Sequence, residues 1–480
     1  MSIRGNPLPR RIRWAVVPLA VALLAGCAST SIDRNFDDVQ SITRTRLGAE
    51  LTWLRSDEAR QQAAKEVEAT LARPLGADDA VRLALAYSPA LQAALFESAA
   101  SSAQTTQGAR LPNPVFTFER LVRREGGERD LDIGRMLGVS VVDLLLLPTR
   151  LRAADFQQQQ IRLRLASDVV QAATDARQNW VRAVAAQQQV KYAEQVRTAA
   201  DAGAELARRM QSAGNFNRLQ RAREQAFSAE AVAQLARAQQ AALSAREALV
   251  RSLGLNEAQA RTLQLPERLP DLPKNARDEA ETTQRAIDQR LDVRMAQTNL
   301  QFTAGELGLT RITSVINGMH IAAVRNSETG EPPQTGYELE LPIPIFDFGD
   351  AARSRSQSVY MAAVHRTAQL AVEAGSHVRE TYGAYRTAHE LARHYLDEVV
   401  PLRKAISDEN LLRYNGMFIS VFELLADARE QVASVSQAIE AQRDFWLADA
   451  ALQAVLIGKP AGAVTLQSPA AGATRSDAGH

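Results

Sequence analysis

A single cysteine, Cys27, is present in the 480 residues, so no disulfide can close within the chain. Charge of one sign is also scarce. The formal net charge is +1 with 23% charged residues, which leaves no concentrated basic face and argues against nucleic acid as a partner. Beyond the N-terminus no apolar run is long enough for a membrane-spanning helix. Any membrane insertion must therefore use β-strands. The signatures of catalysis are missing too: there is no Gly-rich phosphate loop and no activated Ser or Cys constellation. His389-Glu390-Leu391-Ala392-Arg393-His394 invites a zinc-protease reading, but its second His falls at i+5, roughly 140° further round a helix. The Met and His residues are dispersed, so neither a metal nor another cofactor is expected, nor an enzyme.

The N-terminus sets the compartment. Arg4, Arg10, Arg11 and Arg13 precede an apolar run from Trp14 to Leu24, which ends in Leu24-Ala25-Gly26-Cys27. A basic leader, a short apolar core and small residues before the cut make a secretory signal over residues 1–26. The tetrapeptide resembles a bacterial lipobox, which implies cleavage before Cys27 and a covalent lipid on its thiol and new amino group. An ordinary signal peptide with a chance Cys is the plainer alternative, and the absence of any other thiol favours the anchor. Ala28 follows where Asp would imply inner-membrane retention among lipoproteins, so the resemblance implies transfer to the outer membrane.

Length alone allows about three domains, yet the chain reads as one long object folded back on itself. The tract Leu151–Met210 has no Pro and almost no Gly, and similar tracts cover Leu219–Leu253, Ala351–Val400 and Leu402–Leu456. Strong helix formers fill them. Ile161, Leu165, Val169, Ala172 and Ala176 recur at helical steps, the stripe of a coiled-coil helix. Roughly sixty residues at about 1.5 Å each make a rod near 90 Å. A solvent-bridging coiled-coil scaffold shares this pattern.

The sequence also contains itself twice, at a spacing of about 200 residues. Ser88-Pro89-Ala90-Leu91 opens a helix ending at Ala109-Arg110-Leu111-Pro112-Asn113-Pro114, and Arg290-Leu291-Asp292-Val293 opens one ending near Thr310-Arg311. Each is followed by two β-like stretches, then a long helix meeting a glycine turn, Gly214-Asn215-Phe216-Asn217 or Tyr414-Asn415-Gly416-Met417. The return helices share Ala222-Arg223-Glu224-Gln225 and Ala428-Arg429-Glu430-Gln431, and end at Leu253-Gly254 and Ile457-Gly458.

The clearest strand is Tyr337-Glu338-Leu339-Glu340-Leu341. Its period of two sets Tyr337, Leu339, Leu341 and Ile343 toward lipid and Glu338 and Glu340 toward a wet lumen. Partners are expected at Val115–Val122, Val139–Leu146 and Val315–Val324, with Arg123–Asp130 and Asn326–Thr335 as loops. Pro148, Pro342 and Pro344 fit strand-to-helix transitions. Four strands cannot close a barrel, since membrane barrels start near eight and lipid forbids an open edge. A small soluble sheet is the plainer alternative.

The order helix, strand pair, long helix, glycine turn, long helix, given twice behind a lipobox, resembles the TolC-type outer-membrane efflux family. The resemblance covers about Asp78 to Gly458, and its most specific pieces are Leu111-Pro112-Asn113-Pro114 and Leu341-Pro342-Ile343-Pro344-Ile345-Phe346-Asp347-Phe348-Gly349. Leu291 departs from it, standing where the family often has Pro. Leu147-Pro148-Thr149-Arg150 replaces an aromatic-Gly turn, and the second repeat lacks a Leu-Pro before its strand.

The resemblance implies a mainly α fold with a small β part: tandem repeats of coiled-coil hairpins plus strand pairs, in a trimeric α-barrel continued by a 12-stranded transmembrane β-barrel. The expected parts are an acylated segment at 27–76, a first repeat at 77–275 and a second at 276–458. Strands are expected about 113–147 and 314–346, hairpin tips about 211–218 and 413–420, and a disordered tail at 459–480. The implied protein is a passive exit duct of a tripartite efflux or type I secretion system, lipid-anchored in the outer membrane and extending into the periplasm. Its partners are two further copies of itself, outer-membrane lipid, an inner-membrane transporter and a periplasmic membrane-fusion adaptor meeting the tips at Gly214, Asn215, Asn415 and Gly416. Acids just after the second tip ring the pore in that family; here Glu423 matches best, and Asp427 lies one turn on, on the same helical face. The rival reading is a lipid-anchored periplasmic coiled-coil structural or adaptor protein without a pore.

Overall fold

In a computed structural model, described residues are 27–125, 128–278, 290–313, 318–343 and 345–458, with backbone alone at 27–31, 125, 128 and 311–313. The expected signal peptide and tail lie outside them. Cys27 opens the first helix, and its side chain is not among those described.

The described elements are α1 (Cys27–Leu47), α2 (Asp57–Leu71), α3 (Ala77–Tyr87), α4 (Pro89–Gly108), β1 (Val115–Glu125), β2 (Glu128–Ser140), α5 (Val141–Ser212), α6 (Arg218–Leu253), α7 (Glu257–Thr262), α8 (Leu291–Thr313), β3 (His320–Glu328), β4 (Gln334–Glu340), α9 (Asp350–His394), α10 (Val400–Asn415) and α11 (Val421–Ile457). The repeated plan is thus visible as α4–β1–β2–α5–α6 and α8–β3–β4–α9–α10–α11. The described residues form two compact units, one within 27–39, 96–165 and 293–370, the other within 40–95, 166–292 and 371–458.

The first unit carries one antiparallel sheet in the order β1-β2-β3-β4. Its strands correct the expected boundaries. Arg123–Asp130 is not a loop: β1 and β2 stay paired out to Glu125↔Glu128. The missed signal is Gly126-Gly127, a dipeptide suited to a two-residue hairpin; those residues are outside the described set. Ladder hydrogen bonds come from the backbone, so charged side chains do not end an exposed strand. The expected strand Val139–Leu146 is likewise mostly helix. Ser140 Oγ accepts a hydrogen bond from the Asp143 amide at 3.3 Å, capping α5, and Asp143 pairs with Arg150 two turns on. The apolar run Leu144–Leu147 therefore lies in a helix, and Pro148 sits inside it rather than at a transition. The loop expected at Asn326–Thr335 shrinks to residues 329–333. Pro342 does follow the end of β4, whereas Pro344 lies outside the described residues.

Beside the sheet, buried Asn35 of α1 donates to Ser102 Oγ of α4 at 3.1 Å and to Gln158 Oε1 of α5 at 2.6 Å, tying three helices by a satisfied polar knot. After β4, Asp347 Oδ1 accepts from the Gly349 amide at 2.7 Å, and Gly349 takes φ +71°. This side-chain turn reverses the chain into α9.

The second unit holds the apolar cores. Leu71, Leu75 and Leu83 pack with Trp180, Val184, Leu249 and Leu253. The indole of Trp180 donates to the Leu75 carbonyl at 2.6 Å, which satisfies its only polar atom. The segment at 27–76 thus supplies α2 to this core, through Val67 and Leu71. A second cluster packs Tyr385, Phe445 and Leu452. Polar side chains strap the linker between the repeats onto it: Gln442 to the Pro270 carbonyl at 2.8 Å, Tyr382 to the Arg277 carbonyl at 2.9 Å, and the Tyr385 hydroxyl accepting from the Arg277 amide at 3.1 Å.

The tract Ala351–Val400 is not one regular helix. Tyr395–Val399 forms a π-turn between α9 and α10. Pro401 follows it, with no amide hydrogen and a ring that clashes with the carbonyl four residues back, and the widened turn accommodates both.

Candidate channel elements

The strand register sorts the sheet into two faces. Leu339 pairs with Ile321 and Ile321 with Val139; Tyr337 pairs with Ala323, Ala323 with Leu137, and Leu137 with Phe116. Directly paired residues share a face, so these make one continuous apolar surface. It is solvent-exposed in the single chain: Tyr337 is 82% and Phe116 62% exposed. Glu338 and Glu340 lie on the opposite face, paired with Ala322 and His320. That face also carries the small residues Gly134, Gly138 and Gly336. A Cβ built on Gly138 would sit 3.4 Å from that of Ala322. Both outer strands, β1 and β4, have one edge unpaired among the described residues.

In the second unit the hairpin tips differ in chemistry. At the first, Gly214 takes φ +80° and the Asn215 amide donates to the Met210 carbonyl at 2.8 Å. Asn217 then caps α6 in a reciprocal box with Gln220, at 2.8 and 2.7 Å. At the second tip the left-handed residue is Met417, φ +61°, and not Gly416, whose φ is −80°. A Cβ at 416 would lie 2.8 Å from the Phe418 ring, so a side chain there would displace that ring. Met417 and Phe418 are 93% and 83% exposed. Sequence reasoning centred on Asn415 and Gly416 missed them, although two large apolar residues beside a glycine turn are a readable signal. Phe216 and Phe422 stack at 4.6 Å between ring centroids and hold the two tips together.

Of the two candidate acids, Glu423 is exposed and sits in the first turn of α11, where Ser420 Oγ caps its amide at 3.4 Å. Asp427 is buried, and one of its carboxylate oxygens has no hydrogen-bond partner among the described residues. Helical spacing put both on one face, but Asp427 is one turn further into the hairpin packing. Beside it, Arg429 donates to Glu224 Oε1 at 2.6 Å and lies over the Phe227 ring at 4.6 Å. Glu224 is 4% exposed, a buried charge met by a charge-assisted bond.

The histidines of the His-Glu segment have separate surroundings. His389 is buried with Nε2 at 3.0 Å from the Pro273 carbonyl, and exposed His394 faces Glu398 at 3.1 Å. Among the described residues no group of three or more His, Cys, Asp or Glu is placed to hold a metal ion, and no helix is long and apolar enough to cross a membrane.

With its duplicated helical hairpins and its small antiparallel sheet, the chain has the fold of solved outer-membrane channels. It is similar to a membrane protein from Pseudomonas aeruginosa, at 17% identity over 79% of this chain and 93% of that one, TM-score 0.67. It is similar also to the Campylobacter jejuni CmeC outer membrane channel (13% identity, 81% and 87% covered, TM-score 0.67). The Neisseria gonorrhoeae MtrE outer membrane channel in its open state matches at 17% identity, with 79% and 88% covered and TM-score 0.60. No protein-family model matches the sequence, and no curated protein does.

Proposed function

We propose that the chain is the trimeric exit duct of a tripartite efflux or type I secretion system, anchored by lipid on Cys27 in the outer membrane and passing cargo passively from the periplasm outward. The observation that carries this reading is the open four-stranded sheet, apolar on one exposed face and acidic on the other. Alone it would offer unpaired edges and a naked apolar face to water. Three copies joined edge to edge give about twelve strands, enough to close a barrel with the apolar face in lipid and Glu338 and Glu340 in the lumen. The likeness to outer-membrane channels supports the same arrangement. In this reading the tips at Gly214, Asn215, Asn415 and Gly416, together with Met417 and Phe418, face a periplasmic adaptor. Glu423 is the pore-facing acid, and the burial of Asp427 favours a packing role for that carboxylate.

Membrane fractionation and native mass analysis of the full chain test this. A heat-modifiable trimer in the outer-membrane fraction, labelled by palmitate in the wild type and unlabelled in Cys27→Ser, is the expected result. A monomer released to the soluble fraction by Cys27→Ser would overturn the duct.

A further inference from the structure

The apolar face of the sheet is also unevenly charged. One register step outward from Tyr337, Thr335 pairs with Arg325, Arg325 with Arg135, and Arg135 with Phe118. Arg120 follows Phe118 two residues on, on the same face, and all three arginines are exposed. No described Asp or Glu shares this face; Glu119, Asp132, Glu328, Glu338 and Glu340 all have the opposite parity. None of the three arginines makes an ion pair with a described residue. Arg135 and Arg325 are direct cross-strand partners, where like charges are destabilising. Further copies of the sheet cannot neutralise them from this face, because each copy brings the same arginines.

Their height is informative. Leu341 and Thr335 are six residues apart, roughly 20 Å along a strand at about 3.4 Å per residue. An outer-membrane apolar band is about 25 Å tall. On β3 and β4 the arginine row therefore ends the apolar surface on the side of the strand turns. On β1 and β2 the same face continues through Ile133, Val122 and Leu131 to the paired Arg124 and Arg129. The arginines thus occupy the outer part of the face, where lipid tails give way to headgroups.

We propose that Arg120, Arg135 and Arg325 bind the phosphate groups of an outer-leaflet phosphorylated glycolipid, one such surface per copy of the chain. This rests on the reading of the sheet as part of a membrane barrel. Guanidinium forks match phosphate oxygens in geometry and charge, and the neighbouring Phe116, Phe118 and Leu137 take the acyl chains. The counter-charge that this face lacks is supplied by the membrane.

The test uses the full-length chain in phosphatidylcholine nanodiscs, with lipid A, dephosphorylated lipid A or inorganic phosphate as probes and native mass spectrometry as readout. Wild type is expected to retain lipid A. The triple variant R120Q/R135Q/R325Q is expected to retain it about a hundredfold less, taking about 1 kcal/mol per arginine near the headgroups. R120K/R135K/R325K keeps the charge and should recover most of the binding, while dephosphorylated lipid A should bind neither strongly. Equal lipid A retention by wild type and the glutamine variant, both inserted and conducting in bilayers, would overturn the proposal and leave the barrel standing. Displacement by millimolar inorganic phosphate would also overturn it, marking a site for free anions. Failure of the wild type to insert would remove the barrel reading and this proposal with it.

Discussion

Glu224 of the first repeat receives a 2.6 Å hydrogen bond from Arg429 of the second, so the shared tetrapeptides Ala222-Arg223-Glu224-Gln225 and Ala428-Arg429-Glu430-Gln431 meet, one giving its acid and the other its base. Duplication has been turned into a cross-repeat ion pair. Glu430, the counterpart of Glu224, pairs instead with Arg403 at 2.9 Å, at the surface.

Removing either member of the buried pair leaves an uncompensated charge. Glu224→Gln is expected to lower stability by about 1–3 kcal/mol, since Arg429 keeps some contact with solvent. Chemical denaturation of Glu224→Gln, Arg429→Met and the double variant measures the coupling. Additive single effects would show that the contact is incidental.

Gly254 and Gly458 close corresponding corners of the two repeats. Both take positive φ, +72° and +97°. A Cβ on Gly254 would overlap the Pro89 ring, and one on Gly458 would lie 2.8 Å from the Arg290 Cα and closer still to the Leu291 amide. Alanine at either is expected to cost about 2–4 kcal/mol from strain and overlap together. At Gly214, where the space is open, strain alone acts and the loss should be about 1 kcal/mol. Thermal unfolding of the three variants decides; equal shifts would refute the overlap argument.

Asp449 is buried, and burial pushes its carboxyl above the ordinary carboxylate range, opposed by Arg277 at 3.0 Å. A raised carboxyl holds its proton more tightly folded than unfolded, so its stabilising contribution is present in acid and lost as pH rises through the folded pKa. Arg277→Gln should therefore cost more at pH 7, about 1–3 kcal/mol, than at pH 4, where the carboxyl is closer to neutral. Denaturation midpoints at both pH values check the sign, and a larger loss at pH 4 would reverse it.

Glu423 and Asp427 should separate by readout. Glu423→Ala is expected to lower cation selectivity in planar bilayers with little change in stability, because the side chain is exposed. Asp427→Asn should move stability and leave selectivity alone. Unchanged conductance and selectivity in Glu423→Ala would remove the gate assignment.

Much of this was legible in sequence because it is local. The helix stripe, the glycine turns and the doubled order of elements depend on residues within a turn or two of one another. So does the alternation Tyr337-Glu338-Leu339-Glu340, which fixes opposite faces whatever strand lies alongside.

The rest required the tertiary structure, for a different reason in each case. Leu144–Leu147 suits strand or helix equally, and only the Ser140 cap and the Asp143–Arg150 pair select helix. Leu291, a departure from the expected proline, nonetheless takes against Gly458 the place that Pro89 takes against Gly254. Spacing made Glu423 and Asp427 equivalent, whereas hairpin packing buried one and left the other in solvent. The arginine row belongs here too. Arg325 is far in the chain from Arg120 and Arg135, and only the strand register, set by backbone pairing, brings the three to one apolar face. Sequence by itself determined periodicity, repetition and turn chemistry; register and burial decided which of the chain's charges are alone.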